Sequence, residues 1–109
     1  MLETLTTRGG FVIISNMRRE PLLRERRVLT EAAFVELVVW QVQRPVPGSM
    51  HGFKYRLALV VEGRCVLRYD NEAGKGDHKH LEGVETPYRF TSPALLLADF
   101  WKDVDLWRL

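Results

Sequence analysis

Apolar and polar positions alternate most regularly between residues 53 and 70. Phe53, Tyr55, Leu57, Leu59 and Val61 share one sense, and Lys54, Arg56, Ala58 and Val60 the other. A period of two sends successive side chains to opposite sides of a strand, so 53–61 is expected to be a strand with one apolar face. Residues 64–70 continue beyond Gly63, with Cys65, Leu67 and Tyr69 opposed to Arg64, Val66, Arg68 and Asp70. Keeping the apolar faces together requires odd positions to pair with odd. A three-residue connection, Val61-Glu62-Gly63 with Gly63 left-handed as a bulge, satisfies this. The resulting register places Lys54, Arg56, Arg68 and Asp70 on one face, with Lys54 opposite Asp70. Upstream, 22–29 and 33–43 read as two strands joined through Thr30-Glu31-Ala32. The second is β-branched and aromatic on both faces, which suits a central strand.

Beyond the turn cluster Pro45-Val46-Pro47-Gly48-Ser49 and these strands, a final short strand is expected at Tyr88-Arg89-Phe90. The period then changes. Ser92 is placed to cap a helix and Pro93 to occupy its first position. Leu96, Phe100, Val104 and Trp107 recur at helical spacing, widened by Leu97 and Trp101. This stripe is read as core packing against the odd face of the sheet rather than as a platform for bases. The expected fold is therefore α+β: a mainly antiparallel, four- to five-stranded sheet with one C-terminal helix packed on one face. Residues 17–109 form the single domain. Residues 1–16, broken by Gly9-Gly10, are expected to be an N-terminal arm, either disordered or an upstream extension with Met17 as an alternative start.

Composition narrows the class. A chain 46% hydrophobic and 28% charged suits a globular domain. Its apolar runs fall short of the ~20 residues that span a bilayer, and no cleavable leader is evident. The single cysteine, Cys65, leaves no internal disulfide or multi-cysteine zinc site, and its place in the alternation suggests a small buried hydrophobe. A cytoplasmic location without membrane association is expected. The net charge of +2 does not diagnose a nucleic-acid binder. Its distribution is more telling: Arg18, Arg19, Arg24, Arg26 and Arg27 cluster early, and Asp99, Asp103 and Asp105 fall late. They could pair within the fold or leave a cationic face for phosphate.

The candidate chemistry lies in the segment from Arg68 to His80, where eight of thirteen side chains are charged or imidazole. A hydrated, charged hairpin is the plain alternative. His78-Lys79-His80 is the sharpest feature, because an extended backbone would project both imidazoles together. One could take a proton from a ribose 2′-OH while the other protonates the leaving oxygen. Arg56, Arg68 or Lys79 would neutralise the phosphorane, with no metal or other cofactor. The catalytic set expected is His78, His80, Tyr69 and Asp70, with Lys54, Arg56, Arg68, Asn71, Lys75 and Lys79 as phosphate contacts. Two alternatives stay open. One is a metal-dependent hydrolase in which Asp70 or Asp77 joins the histidines. The other is a non-enzymatic module binding RNA or protein.

From about Glu20 to Trp107 the chain resembles the TumE-family toxins of toxin–antitoxin pairs. The segments that carry the resemblance are Glu25-Arg26-Arg27-Val28-Leu29, Phe34-Val35-Glu36-Leu37-Val38-Val39-Trp40, Arg44-Pro45-Val46-Pro47-Gly48-Ser49, Phe53-Lys54-Tyr55-Arg56-Leu57, and above all the run from Arg68 to His80. The resemblance implies a small cytoplasmic toxin and a cognate antitoxin similar to helix-turn-helix DNA-binding proteins. It carries over no catalytic residue set. A metal-independent endoribonuclease is the leading expectation, drawn from residue chemistry, with RNA as a further partner.

Overall fold

The computed structural model describes residues 20–72 and 74–107. Its strands are β1 (Leu23–Thr30), β2 (Ala33–Gln41), β3 (Phe53–Val61), β4 (Arg64–Asp70), β5 (His78–Leu81) and β6 (Val84–Pro87), followed by α1 (Pro93–Leu106). The six strands form one antiparallel sheet in chain order. The α+β architecture and the four leading strands agree with the alternation. The arm expected over 1–16, and Met17, lie outside the described residues.

The final third of the sheet differs from expectation. His78-Lys79-His80 opens β5, whose extended backbone sends both imidazoles to one face as expected. But β5 then turns through Glu82-Gly83 into a further strand, β6, that the alternation does not reveal. Both turn residues have positive φ, 48° and 85°, as do Glu62 and Gly63 at the β3–β4 turn, 52° and 76°. Two left-handed residues give a tight connection whose twist matches that of the flanking strands. Tyr88-Arg89-Phe90 is not a strand. Its rings are engaged elsewhere: Tyr88 Oη donates to Asp99 on the helix at 2.6 Å, and Phe90 stacks on His51.

Register needs one correction. The β3–β4 connection has two residues, with Val61 opposite Arg64, and a shift between Leu59 and Val60 then restores odd-to-odd pairing at Leu59–Leu67. The irregularity buries both Val66 and Leu67 and leaves Cys65, opposite Val60, exposed rather than in the core. It also sets Arg56, not Lys54, opposite Asp70; Lys54 lies across from Trp40 on β2.

The odd face carries the core. Val35, Leu37 and Val39, then Tyr55, Leu57 and Leu59, then Leu67 and Tyr69 meet Leu96, Phe100 and Val104 of the helix. Burying each large aliphatic side chain contributes about 1.5–3 kcal/mol. Ser92 caps the helix by accepting from Leu95 N at 3.1 Å, with Pro93 beginning it. The late acidic residues pair close at hand. Tyr69 Oη and Lys79 Nζ both donate to Asp103, the latter at 2.9 Å. Arg27 lies 5.0 Å over the Trp101 ring instead. Among the described residues no helix is long and apolar enough to cross a membrane, and none lies on the even face of the sheet.

Candidate functional site

Pairing within the sheet builds the site. Asp70 faces His78 and Arg68 faces His80 across β4 and β5, while His80 faces Glu85 across β5 and β6. Because the side-chain period is two, all five residues lie on the even face, beside Arg56 opposite Asp70. Asp70 and His78 are 2% and 3% exposed. His80 and Arg68 stand at the rim, about a quarter exposed. The imidazole centroids are 5.2 Å apart.

The contacts are close but poorly directed. His78 Nε2 lies 2.6 Å from Asp70 Oδ1, and Arg68 Nε 3.1 Å from Asp70 Oδ2. His80 Nε2 and His78 Nε2 lie 3.6 and 3.7 Å from Glu85 carboxylate oxygens. Yet Arg68 Nε, Asp70 Oδ1, His78 Nε2 and His80 Nε2 are all buried without an aligned hydrogen-bond partner. A buried polar group left so costs about 1–3 kcal/mol. Only His78 Nδ1 is well placed, 3.0 Å from the Gly76 carbonyl.

A second polar cluster holds the connection between β4 and β5, and there every group is satisfied. Asp77 accepts from Ser49 Oγ and Tyr55 Oη, each at 2.6 Å, and from His51 Nε2 at 2.7 Å. His51 Nδ1 accepts from Phe53 N, so Nε2 carries the ring proton. Burial pushes the Asp77 carboxyl upward, but these hydrogen bonds and the histidine outweigh it and hold the pKa below the usual value. Burial first, and then Asp77, push the Tyr55 phenol far above its ordinary range. Asn71 clamps the same region: its Oδ1 accepts from Tyr55 N at 3.0 Å, and its Nδ2 donates to Phe53 O at 2.8 Å and to Ser49 Oγ. Backbones also touch. A Cβ on Gly48 would lie 2.6 Å from Gly76 N, and one on Gly76 2.9 Å from Gly48 O, both at positive φ.

The residues expected from sequence therefore divide. Asp70, His78, His80, Arg56 and Arg68 come together. Lys75 sits at the margin, 3.6 Å from Glu85, and Lys54 lies one alternate position further along the same face, in an open cleft with Trp40, Gln41 and Val42. Tyr69 and Lys79 lie on the helix side, both bonded to Asp103, and burial with that carboxylate raises the Tyr69 phenol well above its usual pKa. Asn71 is occupied by backbone. Sequence reasoning missed Glu85, which the hairpin signal Glu82-Gly83 would have brought opposite His80. It also missed His51 and Ser49, for which no periodicity gives a cue.

No curated protein and no solved structure matches the chain. The family model for Toxin TumE matches residues 10–108, nearly the whole length and including every strand and the site just described. The chain belongs to the TumE toxin family, and is thus the toxin component of a toxin–antitoxin pair.

Proposed function

We propose that this toxin is an endoribonuclease whose phosphate site is the even-face cluster of Arg56, Arg68, Asp70, His78 and His80. The observation that carries the reading is the convergence of two imidazoles, a buried carboxylate and two arginines on a sheet face that no described helix covers. Arg68 and Arg56 bracket Asp70 and suit a phosphodiester, with Arg56 exposed to receive it. In the metal-free form of the reaction His80, its ring at the rim and its Nε2 unpartnered, is the group best placed to exchange a proton with a ribose hydroxyl or leaving oxygen; in the metal-assisted form that nitrogen is a ligand instead. His78 is held deeper, with Nε2 against Asp70. Lys75 extends the cationic margin, and Lys54 offers a contact to a neighbouring phosphate. Tyr69, Lys79 and Asn71 support the scaffold rather than the reacting groups.

Imidazole chemistry alone and metal-assisted hydrolysis draw on the same residues. The unaligned approach of His78 Nε2 to Asp70 Oδ1 favours the metal-assisted form. The test is cleavage of a defined single-stranded RNA by the purified toxin. Replacing His80 by Gln is expected to slow cleavage by roughly 10²–10⁴-fold, the usual contribution of a positioned acid or base. Arg68→Gln should also slow it, without unfolding. Native rates in both folded variants would remove the cluster from the reaction.

A further inference from the structure

We infer that Asp70, His78, His80 and Glu85 bind a divalent first-row transition-metal ion. The inference deepens the nuclease reading at the same site, and it is testable without RNA. It begins with one proton. The Gly76 carbonyl can only accept, so the His78 Nδ1 lying 3.0 Å away is the nitrogen that carries hydrogen. In a neutral ring Nε2 then presents a lone pair, and that lone pair lies 2.6 Å from Asp70 Oδ1. Two acceptors so close repel unless a positive charge sits between them. A ring proton would provide one if Nε2 and Oδ1 were aligned as donor and acceptor, but both atoms are buried without such a bond. Two ligands of one ion, by contrast, point at the ion and not at each other.

The neighbours extend the set. His80 Nε2 is a third buried donor atom without a partner, on the same face of β5 as His78. The ligand atoms of His78, His80 and Glu85 lie within 4.8 Å of one another. Metal bonds of about 2.0–2.1 Å place tetrahedral ligand atoms about 3.3 Å apart, so an inward adjustment of up to about 1.5 Å gathers these three on one ion. His78 Nε2 and Asp70 Oδ1, at 2.6 Å, would draw apart by about 0.7 Å to admit it. Glu85, on the exposed edge strand β6, has room to make it. The outer contacts are those a metal centre uses: Nδ1–H of His78 on a backbone carbonyl, and Arg68 against the second oxygen of Asp70. Arg56, Arg68 and Lys75 offset the charge of the two carboxylates before the ion enters, so the attraction for a cation rests on the unpartnered donor atoms rather than on net charge.

The donor chemistry selects the ion class. Two imidazoles and two carboxylates, with no thiolate, suit Zn²⁺, Mn²⁺, Co²⁺ or Ni²⁺, whereas Mg²⁺ and Ca²⁺ prefer oxygen alone. The Asp77 cluster makes the contrast. It too holds a histidine and a carboxylate, yet its hydrogen bonds are complete, so nothing there calls for a ligand. Bound beside Arg56 and Arg68, an ion could polarise a phosphate oxygen or activate water.

The experiment is calorimetric titration of the purified full chain with Zn²⁺, Mn²⁺ and Mg²⁺, alongside the visible spectrum with Co²⁺. One ion per chain is expected for Zn²⁺ and Mn²⁺, with Mg²⁺ much weaker. Glu85→Gln and His80→Gln should each weaken binding by at least about tenfold, since even outer-sphere changes cost 10–100-fold. The spectrum of the Co²⁺ form should change with them. Cys65→Ser should leave binding intact and serves as the control for thiol binding. Glu85 is exposed and its replacement conservative, so that variant keeps the test valid if others misfold. Absence of transition-metal binding, or binding unaltered in both ligand variants, overturns the inference. RNA cleavage that persists in chelator by a chain that binds no metal would overturn it while sparing the nuclease reading. Metal binding without RNA cleavage would do the reverse.

Discussion

Single residues decide how the site is held, and Asn71 is the clearest case. Its place in the charged run suggested a phosphate contact, but its amide is 1% exposed and bonded to backbone on β3. Asn71→Ala would leave Tyr55 N–H and Phe53 C=O unpaired in the interior. We expect a loss of about 1–3 kcal/mol in urea unfolding, with binding chemistry lost only as the fold is lost. Gly48→Ala should destabilise at least as much, because its Cβ would meet Gly76 backbone at 2.6 Å and its φ is +95°. Neither role could be read from residue types. Charge and hydrogen-bonding capacity are visible in a sequence, but which partner takes them depends on two turns, 45–50 and 71–77, meeting in space.

At the scale of elements, alternation made β2, β3 and most of β4 legible, and capping made α1 legible. The same reasoning failed at β5–β6 because four-residue strands carry too little periodicity, although the Glu-Gly pair at 82–83 repeats the one at 62–63. The shift inside β3–β4 was hidden for a different reason: Val66 is apolar and tolerates either face. Two measurements belong here. Asp77 holds the 71–77 turn to β3, and its pKa is lowered by folding. Its contribution should be full above the unfolded carboxylate value near ~3.9 and vanish as pH falls through the lower folded value. The stability difference between native protein and Asp77→Asn, followed by urea unfolding, should therefore shrink below about pH 4. Across the sheet, Lys79→Met breaks a partly exposed tie between β5 and α1. It should cost no more than about 1 kcal/mol and leave RNA cleavage near native, since Lys79 lies on the helix side. A large loss of cleavage in a stable Lys79 variant would mean that substrate reaches that side.

The whole molecule presents two unlike faces, one sealed by α1 and one bearing Arg24, Arg26, Lys54 and Arg56 beside the histidine cluster. Toxin-family membership implies an antitoxin, and the open face is where it would do most to silence the site. We propose that an antitoxin similar to helix-turn-helix proteins lays acidic groups over these cations. Attraction of this kind raises association rates and is screened beyond about 8 Å at physiological salt. Arg24→Glu with Lys54→Glu should then slow association, measured by surface plasmon resonance, more than it hastens dissociation. Unchanged kinetics would place the antitoxin on the helix side or on an edge strand. The central claim is that toxicity resides in the even-face cluster, and growth arrest on induction tests it most directly. Native chain, His80→Gln, Asp70→Asn and Lys79→Met are compared at matched levels of folded protein. Arrest should persist in the Lys79 variant and be lost in the other two. Full arrest by folded His80→Gln and Asp70→Asn would contradict the claim.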